Sequence, residues 1–150
     1  MARKIQVTID CADPGRLTRF WSTALEYEIQ PPPDGFPTWN AFWRSIGVPE
    51  DELDDANDAS DSVVDPDGVG PRIWFQHVPE GKIVKNRVHL DVNVGGGRGV
   101  PLEERRQRVI AEAERLAAAG ATRLRVLAAE GVDHFGIVMQ DPEGNEFCLH

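Results

Sequence analysis

Lys85-Asn86-Arg87-Val88-His89-Leu90-Asp91-Val92-Asn93-Val94 carries two interleaved sets of side chains. In an extended chain, successive side chains point to opposite faces. Val88, Leu90, Val92 and Val94 therefore share one face, and Arg87, His89, Asp91 and Asn93 the other. The wet face of a surface strand seldom gathers a His, an Asp and an Asn in a row, so the polar set is predicted to line a concave site. The chain opens with the same alternation, Ile5, Val7, Ile9 and Cys11 against Lys4, Gln6, Thr8 and Asp10. A constant offset lays Gln6 on His89, Thr8 on Asp91 and Asp10 on Asn93, and the sequence reads as two copies of one unit.

Each copy continues in the same order. Asp13-Pro14 is a helix-start signal, a capping carboxylate followed by Pro at the first helical position. Leu17, Phe20, Trp21, Ala24 and Leu25 then recur at three- and four-residue steps, predicting a helix from about Pro14 to Leu25. Short strands are expected at 28–30, 62–64 and 72–78, with Asp65-Pro66-Asp67-Gly68 as the turn between the last two. In the second copy a strong helix is expected over Glu103 to Ala119, closed by Gly120, with Val109, Ala113, Leu116 and Ala117 as its apolar stripe. Strands follow at 122–127, 134–140 and from 147 to the end, and Asp141-Pro142-Glu143-Gly144 repeats the earlier turn. Residues 36–59 fit the repeat poorly. There Trp39, Phe42, Trp43 and Ile46 follow a helical period and Pro49 to Leu53 resembles a further short helix, so this segment reads as an insertion.

Composition narrows the possible functions. At 150 residues the chain is expected to form a single domain, 1–150, with one module over 1–81, carrying the insertion, and a second over 82–150. The formal charge of −9 opposes phosphate backbones and argues against nucleic-acid binding. Glu50 to Asp67 holds nine carboxylates and no Lys or Arg, and reads as a solvated loop; it lacks the glycine and terminal Glu of an EF-hand. Gly95 to Gly99 lacks the spacing of a phosphate-binding loop and reads as a flexible connector. Cys11 and Cys148 form no C-x-x-C pair, which predicts free thiols in a reducing cytoplasm. No apolar run is long enough for a membrane span.

The polar faces supply the candidate site. With Phe147 and Leu149 directed to the core, Glu146, Cys148 and His150 share the opposite face; aligning the two turns lays Arg72 on Glu146, Trp74 on Cys148 and Gln76 on His150. The expected ligand-pocket residues are Gln6, Thr8, Trp74, Gln76, His89, Asp91, Glu146 and Cys148. A strand His between Arg and Asp also has a plain structural reading as a hydrogen-bonded group, and Cys148 one as a small hydrophobe. Trp39, Trp43 and Trp74 either fill the core or line the pocket of an apolar molecule with a few polar handles.

Asp13 followed by Phe20-Trp21, then Arg87-Val88-His89-Leu90-Asp91-Val92, then Asp141-Pro142-Glu143-Gly144-Asn145, together resemble the vicinal oxygen chelate superfamily. That superfamily includes glyoxalase I, extradiol dioxygenases and the bleomycin- and fosfomycin-resistance proteins, and the chain is most similar to its glyoxalase-like branch. The resemblance implies an α+β fold of two βαβββ modules forming a cup-shaped mixed sheet, with a metal held by one residue from the first and last strand of each module. Carried over, Gln6 and His89 match the first-strand ligands. Cys148 stands where Glu is usual, and the remaining position is Trp74, or Gln76 if that strand shifts by two.

Without the mobile carboxylate of a glyoxalase or the two His and one carboxylate of an extradiol dioxygenase, the implied metal site is degenerate. The resemblance then favours a protein that binds a small oxygenated or aromatic molecule. The alternative is a metal-dependent lyase, isomerase or dioxygenase with zinc or another late divalent ion on His89, Gln6 and Cys148. Family habit and the Trp-rich insertion also imply a homodimer.

Overall fold

The computed structural model describes residues 2–150 and divides into two compact units, the first ending at Pro79 and the second running from Glu80 to His150. The first holds β1 (Gln6–Cys11), α1 (Pro14–Leu25), β2 (Glu28–Ile29), α2 (Trp39–Ser45), β3 (Ser62–Val64) and β4 (Arg72–His77). The second holds β5 (Asp91–Val92), α3 (Leu102–Ala118), β6 (Thr122–Ala128), β7 (Phe135–Gln140) and β8 (Glu146–Leu149). Apart from α2 and its flanking short turns, each unit is strand, helix, three strands. The four-stranded sheets have orders β1-β4-β3-β2 and β5-β8-β7-β6, the same topology twice. The expected α+β fold of two βαβββ repeats is therefore present.

In each sheet the first and last strands are parallel neighbours. The register sets Thr8 beside Trp74 and Asp91 beside Cys148, the positions that the internal repeat lays on one another. Alternation decides what is buried: Ile73 and Phe75 of β4, and Phe147 and Leu149 of β8, are in the core, where they meet the helix-borne residues Leu17, Phe20, Trp21 and Ala24 in one unit and Val109, Ala113 and Leu116 in the other. Asp13 caps α1 by accepting from Arg16 N at 2.9 Å. The two Asp-Pro turns are built alike. Asp65 accepts from the N–H groups of Asp67, Val69 and Gly70, and Asp141 from those of Glu143 and Asn145, while Gly68 and Gly144 take the positive φ the turn requires.

Several local expectations are corrected. The stretch 85–94 is far shorter as a strand than its alternation predicts: only Asp91–Val92 is β5, and Val88 is 80% exposed rather than packed. The register gives the reason. With Asp91 beside Cys148, Arg87 would fall beside Gly144, where β8 has already given way to the turn, so the upstream residues have no ladder to join. Backbone pairing resumes only from Leu90, which accepts from Cys148 N, and runs on to Val94, which donates to His150 O.

On α3, Ala117 is exposed and Arg105 takes its place in the interior, donating to Val100 O at 2.9 Å and pairing with Asp133. Nor is the glycine-rich connector simply loose. Gly95 is buried, its O accepts from Arg108 Nη1, and Gly96 N donates to Asn93 Oδ1.

The insertion is ordered by side chains that composition did not single out. The α2 residue Asn40 is buried, with its N–H on Asp58 Oδ1 and its amide on Asp54 O and Asp55 Oδ1. Arg44 holds Glu50 and Asp55, so part of the acidic run is neutralised from the helix that precedes it. Trp39 and Trp43 stack at 5.5 Å beside Phe42, and Trp39 Nε1 donates to Gln30 O. The core tryptophan is Trp21; Trp43 and Trp74 are partly exposed. No described helix is long and apolar enough to cross a membrane.

Candidate functional site

The polar face of the first sheet is dominated by Arg72, at the start of β4. Alternation turns it away from the buried Ile73 and onto the face of Trp74, and the register places it beside Gln6 of β1. Its guanidinium donates from Nη1 to Gln6 Oε1 at 2.7 Å, from Nε to Gln30 Oε1 at 2.7 Å and from Nη2 to Ser62 Oγ at 2.6 Å. These three acceptors come from β1, from the residue after β2 and from β3, so one side chain ties together all four strands. Burial lowers the pKa of this guanidinium, the cost of holding a cation partly out of water. Arg72 and its acceptors Gln30 and Ser62 were not expected site residues. The available signal was position: Arg72 lies two residues before Trp74 and so shares its face.

The second unit assembles a different set. His89, Asp91 and Cys148 each place one ligand-type atom within 4.8 Å of the other two. His89 Nε2 lies 3.1 Å from Asp91 Oδ1, and both side chains are substantially exposed. Cys148 is half-buried on β8 beside Asp91. Burial pushes the Cys148 thiol up, and the Asp91 carboxylate adds to this, outweighing the opposing pull of Arg125 and Lys85. On balance the surroundings favour the thiol over the thiolate. Glu146 faces a cation instead: Lys82 Nζ lies 3.2 Å from it and Asn86 N donates to it at 2.9 Å, and these contacts, the N–H first, hold its carboxyl below the ordinary range.

Four metal-ligand positions were inferred from the sequence. The first-strand position of unit one has its amide oxygen on Arg72, and the last-strand position of that unit is Trp74, which offers no donor atom for a metal. The other two, His89 and Cys148, lie in unit two and are joined by Asp91, which had been expected in the pocket but not on the metal. Gln76 and Thr8 lie on the polar face of sheet one, beside Asp10 and Trp74 respectively in the strand register.

A family model described as a glyoxalase-like domain matches residues 6–150. No curated protein matches the sequence. Solved structures do. The fosfomycin resistance protein FosX from Listeria monocytogenes, in its tetragonal form, superposes with a TM-score of 0.60 at 12% identity, over 100% of this chain and 90% of that one. A glyoxalase/bleomycin resistance/dioxygenase family enzyme from Burkholderia phytofirmans PsJN gives 0.55 at 16% identity, over 96% and 94%. A hypothetical protein from S. aureus gives 0.59 at 14%, over 99% and 93%. A mutant of the Listeria protein is described in complex with Mn(II) and 1S,2S-dihydroxypropylphosphonic acid. At such identities the superpositions establish the shared fold.

Proposed function

The chain belongs to the glyoxalase-like domain family, and from that premise we propose that it is a small-molecule-binding member in which the two units form one domain and the family metal centre has degenerated. The observation that carries this reading is the Gln6–Arg72 hydrogen bond of 2.7 Å. A metal ion at the Gln6 oxygen would have to compete with a fixed guanidinium and sit beside its positive charge. With Trp74 at the other position, the two ligand positions that the resemblance assigns to unit one offer no good metal donor. Gln6, Thr8, Trp74 and Gln76 in unit one, and His89, Asp91, Glu146 and Cys148 in unit two, are the residues proposed as ligand-facing, each set within its own unit. An aromatic surface with a few fixed polar groups suits a small oxygenated or aromatic compound.

A second reading has its own support. His89, Asp91 and Cys148 offer imidazole, carboxylate and thiol within 4.8 Å, a donor set that suits zinc at bond lengths of about 2.0–2.3 Å. Once bound, zinc would supply Lewis-acid polarisation of a substrate oxygen, and the reading becomes a metal-dependent lyase, isomerase or dioxygenase. Against it stands the need to strip a proton from a thiol whose surroundings hold it on.

Metal analysis of protein purified without an affinity tag separates the two. Well under one ion per chain is expected; about one tightly held zinc or manganese per chain, lost in His89→Ala, overturns the binding reading. The same preparation tests the proposed homodimer, since a light-scattering mass near 16.6 kDa at micromolar concentration would contradict it.

A further inference from the structure

Among the described residues two arginines are withdrawn from full exposure, Arg105 and Arg72. Arg105 is paired with Asp133. Arg72 pairs with no carboxylate among the described residues; its partners are two neutral amides and a hydroxyl. Partly buried cations are ordinarily matched by an anion, because neutral acceptors recover only part of the lost hydration. The protein has acid to spare, 25 carboxylates against 16 Lys and Arg, and neutralises Arg44, Arg105, Arg108 and Arg115 with it. None is placed at Arg72.

The three neutral acceptors also fix the guanidinium. A guanidinium has five N–H groups; Nε–H and one hydrogen on each Nη are used, which leaves one N–H on Nη1 and one on Nη2. Two N–H groups on adjacent nitrogens match the two oxygens of a carboxylate. Two residues along β4, on the same face, is Trp74, 37% exposed. Ser62 lies beside Trp74 in the register and is only 1% exposed, so its hydroxyl is held under the guanidinium rather than free in water.

We infer that Arg72 and Trp74 form an anion-recognition site for a small aromatic carboxylate, its carboxylate on the free N–H groups of Arg72 and its ring against Trp74. The inference rests on the small-molecule reading above and narrows it to an organic acid, a class that the protein's overall negative charge alone would disfavour. Arg72 needs no preorganisation on binding, because Gln6, Gln30 and Ser62 already hold it.

The test is calorimetric titration of the full chain, in excess chelator, with benzoate, benzamide and benzylammonium, which share a ring and differ in charge. Benzoate is expected to bind at least about tenfold more tightly than either analogue, a difference of about 1.4 kcal/mol. Arg72→Gln should erase that preference, bringing benzoate to within about twofold of benzamide in the same variant, while Arg72→Lys should restore part of it, keeping the charge but not the fork. If Arg72→Gln does not fold, Gln6→Glu carries the test. It is close in shape, gives Arg72 an internal carboxylate, and is expected to weaken benzoate at least about tenfold by competing for the same cation.

Equal binding of benzoate and benzamide, or benzoate binding unchanged in Arg72→Gln or Gln6→Glu, overturns the inference. So does benzoate binding that appears only when zinc replaces the chelator, which would place the anion on the His89 cluster and revive the metal reading. Preference for benzylammonium overturns the inference alone and leaves the small-molecule reading in place; no binding of any probe overturns both.

Discussion

The two sheets share a topology and a strand register but almost nothing on their polar faces. Where unit one sets Gln6 beside Arg72, unit two has His89 and Glu146 at the matching positions; where unit one has Thr8 and Trp74, unit two has Asp91 and Cys148. In the first the cation is held by neutral acceptors, and in the second the carboxylate Glu146 is held by Lys82 and a backbone N–H while His89 turns to Asp91. The buried faces tell the opposite story: Ile73 and Phe147, and Phe75 and Leu149, match in position and in burial. A repeated fold therefore constrains the alternate residues that meet the helix, and leaves the intervening ones free to take up different chemistry.

Core truncation gives the largest effect. Ile73→Ala and Phe147→Ala remove matching, fully enclosed side chains, and are expected to cost about 2–5 and about 3–5 kcal/mol respectively, read as a lowered midpoint in urea. A near-neutral Phe147→Ala would break the equivalence of the two last strands.

The paired turns come next. Asp141 is 2% exposed and accepts from Glu143 N, Asn145 N and the Asn145 amide. Asp141→Ala strands those donors and should cost about 1–3 kcal/mol. Asp65 is more open, and its carboxyl is held below the ordinary range chiefly by Gly70 N–H, then by Asp67 N–H. A depressed folded-state pKa means that its stabilisation is fully present above the unfolded carboxylate value and is lost as pH falls through the folded one. The stability gap between wild type and Asp65→Asn is therefore expected to be smaller than for Asp141→Ala and to narrow on acidification. A gap of constant size from about pH 7 to about pH 3 would show that the turn does not depend on the charge.

Much of this fold was legible because period-two and 3.6-residue patterns, capping signals and Asp-Pro turns are local. Pro14–Leu25 follows from its cap and stripe, and the second copy of the turn from the first. The length of β5 was not legible, because it depends on where β8 begins after its turn, a fact about a partner 57 residues further along the chain. Arg105 in the interior was equally hidden, since its burial is made tolerable by Asp133, which nothing local announces. In β4 and β8 the alternation separated the buried residues from the outward ones, whereas upstream of Asp91 there is no strand to give His89 a face. The sequence could not show that Gln6 is engaged by Arg72 or that Asp91 stands with His89 and Cys148, because both are contacts between side chains.

The smallest expected effect concerns a rate rather than stability, and it bears on the position where the two units differ most, Trp74 against Cys148. Burial first, and the nearby Asp91 carboxylate second, favour the neutral thiol of Cys148. Alkylation proceeds through the thiolate, so iodoacetamide labelling of Cys148, followed by peptide mapping, should reach half its limiting rate above the usual thiol value of about 8.5. Cys11 is an internal control, being 2% exposed with its Sγ directed at Gln76 O. Asp91→Asn removes the repulsion and leaves burial in place, so it should bring the midpoint part of the way down. Added zinc separates the two readings in the same assay: a degenerate site leaves Cys148 labelling unchanged, whereas zinc held by His89, Asp91 and Cys148 would slow it and would cease to do so in His89→Ala. A midpoint at or below the ordinary thiol value, or one that Asp91→Asn does not move, would mean that the thiol does not sense the carboxylate beside it.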